Sequence, residues 1–176
     1  MADAKRKKRF FEVDMPSINK QTNLIAYEVE ELEGKYFSYD LTRLLRGKNI
    51  IIYFKTKVEN GNAFGVPIGL ELVPSYLRKM VRKGTNYIED SIAVDGKFRI
   101  KPFLVTRRKV SRAIRKALRN KAKEEIIEFA KEKSNEEIID EILRGSLQKT
   151  LSVKLKKIYP LSLCEIKTFR VLEKKD

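Results

Sequence analysis

The chain has 176 residues, 42% of them hydrophobic, and its 39 Lys and Arg outnumber 24 Asp and Glu to leave a net charge of +15. It has no His and a single Cys, Cys164. This excludes a His-based nucleophile or general base, a thiolate zinc cluster and an internal disulfide. Excess charge of this size repels itself unless a polyanion is bound, and the pI of about 9.8 points to nucleic acid as that polyanion.

Residues 1–9 are polar and contain the run Lys5-Arg-Lys-Lys-Arg9, so a flexible basic arm is expected there. A first strand pair is expected over 10–15 and 24–32. From Ile50 to Val58 the even positions Ile50, Ile52, Phe54, Thr56 and Val58 face a core, with Lys55, Lys57 and Glu59 opposite. Asn60-Gly61 then marks a two-residue hairpin, because a type I′ turn needs positive φ at both central residues. Beyond it Phe64, Val66, Ile68, Leu70 and Leu72 alternate with Gly65, Pro67 and Gly69, which are assigned to the non-core face. Pro67 has no N–H to give a ladder, so this strand is expected at an edge or at a bulge.

Pro74 suits the first turn of a short helix over Ser75–Val81. A second hairpin centres on Asp95-Gly96, with Ile88, Ile92 and Val94 leading in and Phe98, Ile100, Pro102 and Leu104 leading out. After Thr106 the period becomes helical. Val110, Ile114, Ala117, Leu118, Ala122 and Ile126 predict an apolar stripe on a helix over about 108–132. Ser134-Asn-Glu-Glu137 reads as a capping box that starts a second helix, with Gly145 as its stop. Ser146 is read as the cap of a third helix bearing Leu147, Leu151, Leu155 and Ile158, which Pro160 ends. Residues 161–172 return to a strand, and Cys164 within it reads as a small buried hydrophobe. Strands followed by helices predict an α+β fold: a curved or barrel-like antiparallel sheet packed with three C-terminal helices. Domain organisation is read as the arm 1–9 followed by one domain over 10–176, β-rich over 10–106, helical over 107–159, with a last strand over 161–172.

The charge is concentrated. Residues 97–123 hold twelve Lys or Arg and no acid, and the chain outside this segment and the arm is nearly neutral. On a helix Arg108, Arg112, Arg115 and Arg119 share one face, with Lys109, Lys116 and Lys123 beside it, away from the apolar stripe. A solvated face would interleave acids at i±4 to limit repulsion, and none occurs here. Arg donates bidentately to phosphate and stacks on bases, which suits RNA. A membrane surface fits less well, because the apolar face has neither Trp nor Phe over 108–123. The candidate RNA-binding residues are therefore Lys5, Arg6, Lys7, Lys8 and Arg9 of the arm and Lys79, Arg82 and Lys83 after Pro74. Arg107, Arg108, Lys109, Arg112, Arg115, Lys116, Arg119 and Lys123 complete the set.

The acids Glu124, Glu125, Glu128, Glu132, Glu136, Glu137, Asp140 and Glu141 read as solvated helix faces or contacts for a basic neighbour. Gly65-Val-Pro-Ile-Gly69 lies in a strand pattern and is no phosphate loop. Neither a P-loop nor a dinucleotide-binding glycine motif is present. Tyr36, Phe37, Tyr39, Tyr53 and Phe54 are assigned to strands and the core, so no base-stacking residue is named. No stretch approaches the ~20 apolar residues of a membrane span, and the N-terminus lacks the apolar core of a signal peptide.

The order of several stretches resembles a known family. These are Lys8-Arg-Phe-Phe-Glu-Val13, Ser38-Tyr-Asp-Leu-Thr42, Val81-Arg-Lys-Gly-Thr85 with Asp90 and Asp95-Gly96, Ala113-Ile-Arg-Lys116, and Lys156-Lys-Ile-Tyr-Pro-Leu161 followed by Glu165-Ile166. Together they resemble the archaeal and eukaryotic small-subunit ribosomal protein family S-one-e (S-three-a-e) over nearly the whole chain. The family's N-terminal Trp is replaced by the region of Phe10 and Phe11, and the short chain resembles archaeal members. The resemblance implies a structural component of the small subunit, on its platform near the messenger exit and the 3′ end of the small-subunit RNA. It also implies ribosomal-protein neighbours and no catalysis. The expectation is a cytoplasmic, ribosomal RNA-binding protein with no cofactor, no metal, no membrane contact and no small-molecule substrate. The alternative is a nucleic-acid-binding regulator outside the ribosome, but no recognition helix with a dimer seam is evident.

Overall fold

The computed structural model describes residues 7–172 apart from Arg46, Asp95 and Glu132. It is an α+β protein with nine strands and four α-helices among those residues. The chain divides into two compact units, one comprising residues up to 39 together with 52–68, the other 40–51 together with 69 onward.

In the first unit, β1 (Arg9–Met15) and β2 (Lys20–Ala26) form an antiparallel pair with Val13 opposite Thr22. A 3-10 turn at Pro16–Ile18 and a left-handed Asn19 reverse the chain. The second strand ends at Ala26, short of the expected 32. The Glu31 carboxylate accepts the Tyr27 N–H at 3.0 Å, and Glu30–Leu32 coils into a 3-10 turn that buries Leu32. Strands β3 (Tyr36–Asp40), β4 (Ile50–Glu59) and β5 (Asn62–Leu72) follow. The β4–β5 turn is as expected, with φ of +52° at Asn60 and +79° at Gly61.

The face assignment of β5 inverts over its first half. Ala63, Gly65 and Pro67 are buried, whereas Val66 is exposed and Phe64 and Ile68 are half-buried. The reason is volume. The Phe37 and Phe54 rings stack at 5.2 Å, and a Cβ on Gly65 would meet Phe37 at 3.0 Å. Small residues face the core where large rings from neighbouring strands already fill it. Nor is β5 an edge strand, because it pairs with β4, β1 and β9 (Leu161–Val171). Pro67 falls between the β1-paired stretch, which ends at Phe64, and the β9-paired stretch, which begins at Gly69. A missing N–H is tolerated in that gap. The β1–β5 pairing is parallel, so the strands are mixed rather than wholly antiparallel. Distant segments are free of the direction that a hairpin imposes.

The second unit is built on β8 (Phe98–Thr106), which pairs antiparallel with β9, with β6 (Tyr87–Glu89) and with β7 (Ile92–Val94). In neither unit do the strand pairings close into a barrel. Asp95 of the expected turn lies outside the described residues. Ahead of β6, α1 (Pro74–Met80) has Pro at its start, as anticipated, and buries Leu77. Helices α2 (Arg112–Ala130), α3 (Asn135–Arg144) and α4 (Ser146–Leu155) follow. They bury Leu118, Ala122 and Ile126 of α2, Ile138, Ile139 and Ile142 of α3, and Leu147, Leu151 and Leu155 of α4. Burying each such aliphatic side chain contributes about 1.5–3 kcal/mol.

The capping box is present. The Ser134 hydroxyl accepts the Glu137 N–H, and the Glu137 carboxylate accepts the Ser134 N–H at 2.9 Å. Ser146 is not the cap of α4. Gly145 occupies that position, and the Ser146 hydroxyl donates back to the Glu141 carbonyl at 3.2 Å. Ile158 lies past the helix and stays exposed. Cys164 is buried, which pushes its thiol up to about 12 and leaves it an unreactive core residue.

Candidate nucleic-acid interface

The basic segment after β8 is organised by two polar side chains, Asn86 and Thr106. The Thr106 hydroxyl accepts the Asn86 N–H at 3.0 Å and offers its proton to the carbonyls of Arg108 at 2.7 Å and Asn86 at 3.1 Å. The Asn86 side-chain oxygen accepts the Val110 N–H at 2.9 Å. These bonds hold residues 107–110 as a bend. The Ser111 hydroxyl then accepts the Ile114 N–H and caps α2.

The helix therefore begins at Arg112, four residues later than expected. Arg107, Arg108 and Lys109 are exposed on the bend, and Arg108 is not part of the helical row. Val110 also precedes the helix, and Ala117 is exposed. The buried stripe runs through Leu118, Ala122, Ile126 and Ala130, with Ile114 half-buried.

On the helix itself Arg112, Lys116, Arg119 and Lys123 are exposed and Arg115 is half-buried. Arg112, Arg115, Lys116 and Arg119 line a cleft of about 430 Å³ whose other wall is Tyr87 and Ile88 of β6. The Arg115 Nε is buried without a hydrogen-bond partner among the described residues. Among the described residues, no ion pair involves any of the cations from Arg107 to Arg119, or Lys123. Their charge is thus uncompensated among the described residues.

Lys121 is different. It lies 3.3 Å from Glu124 and 3.1 Å from Glu125. Glu125 is buried and also takes the ammonium of Lys154 on α4. The hydrogen bond from Lys154, then that from Lys121, holds the Glu125 carboxyl below its ordinary range against the opposing effect of burial. The acidic residues are therefore in part structural, and among the described residues no group of three His, Cys, Asp or Glu side chains could hold a metal ion.

The remaining candidates lie elsewhere. Lys5 and Arg6 fall outside the described residues. Lys7 and Lys8 are exposed ahead of β1, and the Lys8 ammonium lies 5.5 Å from the centre of the Tyr27 ring. Arg9 is the first residue of β1, opposite Ala26, rather than the end of an arm. Lys79 is exposed on α1, and Arg82 and Lys83 are exposed just after it. Sequence reasoning passed over Tyr87. Its alternation with inward-facing Ile88 was the available signal, since a residue before a buried strand position points outward.

Across its length, residues 1–175, the chain matches the model of the Ribosomal S3Ae family. The chain belongs to this family. Three archaeal proteins named small ribosomal subunit protein eS1 are similar to it. That of Nanoarchaeum equitans is 30% identical over 96% of this chain and 90% of its own length. That of Halorubrum lacusprofundi is 29% identical over 94% and 82%. That of Saccharolobus islandicus is 28% identical over 97% and 88%. The S3Ae family consists of structural ribosomal proteins rather than enzymes. Among the described residues of this S3Ae-family chain, no helix is long and apolar enough to cross a membrane.

Proposed function

We propose that this chain is a structural constituent of the small ribosomal subunit that binds ribosomal RNA through the bend 107–109 and the first half of α2. The observation that carries the reading is the set of unpaired cations at Arg107, Arg108, Lys109, Arg112, Arg115, Lys116, Arg119 and Lys123. A folded protein leaves that much like charge uncompensated at a cost, and a phosphate backbone relieves it. The helix is already folded, so its cations lose less freedom on binding than those of a segment that must first become ordered. Lys79, Arg82, Lys83 and the cations of residues 5–9 supply further phosphate contacts. Neighbouring small-subunit proteins meet the acidic faces of α2 and α3. The position we propose, following the family resemblance, is the platform near the 3′ end of the small-subunit RNA and the messenger exit, in the cytoplasm.

Two measurements test this. In a sucrose gradient the tagged protein should travel with the small subunit at low and moderate salt; migration only as free protein would refute a ribosomal role. In a filter-binding titration against small-subunit RNA, about six phosphate contacts predict a loss of roughly 10³-fold in affinity between 50 and 200 mM salt. A flat salt dependence would rule out a phosphate-dominated interface.

A further inference from the structure

We propose that the cleft between β6 and α2 receives one unpaired nucleotide of the bound RNA. Its base would lie on the Tyr87 ring and its phosphate on Arg112, Arg115 and Arg119. The inference rests on the RNA-binding reading and names the structural class of RNA that this surface takes.

Five observations converge on the cleft. Tyr87 lines the cleft and is 59% exposed although it lies in a strand, so its side chain is largely open to solvent. That ring does not swing freely, because it stacks on Phe103 with centroids 6.0 Å apart and planes within 21°. An aromatic ring held in place on one side and open on another is a stacking platform prepared before the ligand arrives, and little rotamer freedom is lost on binding. The opposite wall is wholly cationic or neutral, and the about 430 Å³ between the walls suffices for a small ligand such as one nucleotide. Arg115 lines the cleft, its Nε is buried with no hydrogen-bond partner among the described residues, and burying a donor unsatisfied is unfavourable. A phosphate oxygen accepting from the Arg115 guanidinium would relieve that cost. Asn120, which also lines the cleft, carries both a donor and an acceptor, the pair needed to read a base edge.

Phosphate binding alone accounts for the arginines but leaves the aromatic wall without a role. A duplex cannot use that wall, because the faces of paired bases are covered by their neighbours in the stack. An unpaired base in a loop, bulge or single strand has its face free, and specific RNA recognition targets such bases.

The chain has no Trp, so Tyr87→Trp places its single Trp, whose emission can be excited apart from that of the tyrosines, in the cleft of the full-length protein. The probes are a single-stranded oligoadenylate of about twelve nucleotides and a fully paired RNA stem of matching charge. Oligoadenylate should quench the Trp fluorescence and the stem should not. In parallel, Tyr87→Leu should weaken oligoadenylate binding about tenfold while leaving stem binding unchanged, and Tyr87→Phe should bind both probes like the parent. Fluorescence unchanged at saturating oligoadenylate, or Tyr87→Leu protein that is folded and binds oligoadenylate as tightly as the parent, overturns the nucleotide site. If those results come with normal binding to both probes, only the nucleotide site fails and the RNA-binding reading stands. If the parent protein binds neither probe, the RNA-binding reading fails and takes the site with it.

Discussion

The two halves of α2 show how one helix can hold its cations in opposite ways. In the first half, Arg112, Arg115, Lys116 and Arg119 line a cleft with no carboxylate among its described lining residues. In the second, Lys123 stays exposed and unpaired among the described residues, but Lys121 is spent on Glu124 and Glu125, and Glu125 is clamped from the other side by Lys154 of α4. The first half leaves its charge uncompensated among the described residues. The second uses charge to fasten α2 to α4. Residue type does not separate the two roles; the presence of an acid across the local space does.

Reversing charge in the first half should have the largest effect. The double variant Arg112→Glu, Arg115→Glu should lose on the order of 10²-fold or more in affinity for small-subunit RNA and fail to enter small subunits. It should remain folded by circular dichroism, because neither residue lies on the buried stripe. Removing residues 2–7 should weaken binding yet still allow incorporation. Normal occupancy of the double variant in purified subunits, with loss on truncation, would move the anchor to the N-terminus.

The second half should respond in stability instead. Glu125→Gln leaves two ammonium groups facing a neutral amide and should cost about 1–2 kcal/mol in urea unfolding, discounted for the partly exposed lysines. The sign with pH follows from the lowered carboxyl. Glu125 stabilises the fold above its ordinary value of 4.5 and loses that contribution as pH falls through its lower folded value. The difference between parent and Glu125→Gln protein should therefore shrink below about pH 4.5. A difference that stays constant down to pH 3 would mean that the carboxylate is not held by the two lysines.

Ser111→Ala should cost about 0.5–1 kcal/mol, at the low end for a cap because the bond to the Ile114 N–H is long at 3.4 Å. RNA affinity should fall with it, because the helix start also positions Arg112. Unchanged thermal stability would show that Asn86 and Thr106 alone fix the start of α2. The smallest and sharpest contrast pairs two single lysines. Lys116→Ala should reduce the salt slope of RNA binding by about one phosphate. Lys121→Ala should leave the slope unchanged, since that ammonium is already paired. Equal slopes for the two variants would erase the distinction between the halves.

Much of this protein was legible before any fold was known, and the legible parts are local. The Asn60-Gly61 turn, the Ser134–Glu137 capping box, the Gly145 stop and the stripe through Leu118, Ala122 and Ile126 each depend on residues within a turn or two of one another. The run of cations without acids is likewise a property of the chain itself, and it points to a nucleic-acid partner from the sequence alone. What only the tertiary structure decided is what distant segments do to each other. Asn86 and Thr106, twenty residues apart, hold residues 107–110 out of the helix and remove Arg108 from the expected row. The Phe37 and Phe54 rings occupy the space over Gly65 and turn the face of β5 over, against the count of apolar residues. Lys154 reaches Glu125 across twenty-nine residues of sequence and makes a structural clamp of what reads as a solvated acid. Tyr87 becomes a wall of the basic cleft only when β6 and α2 come together. Backbone preference and helix or strand period act between near neighbours, so a sequence displays them directly. Volume exclusion and charge pairing act through space, so they take effect only once the chain has closed its long loops.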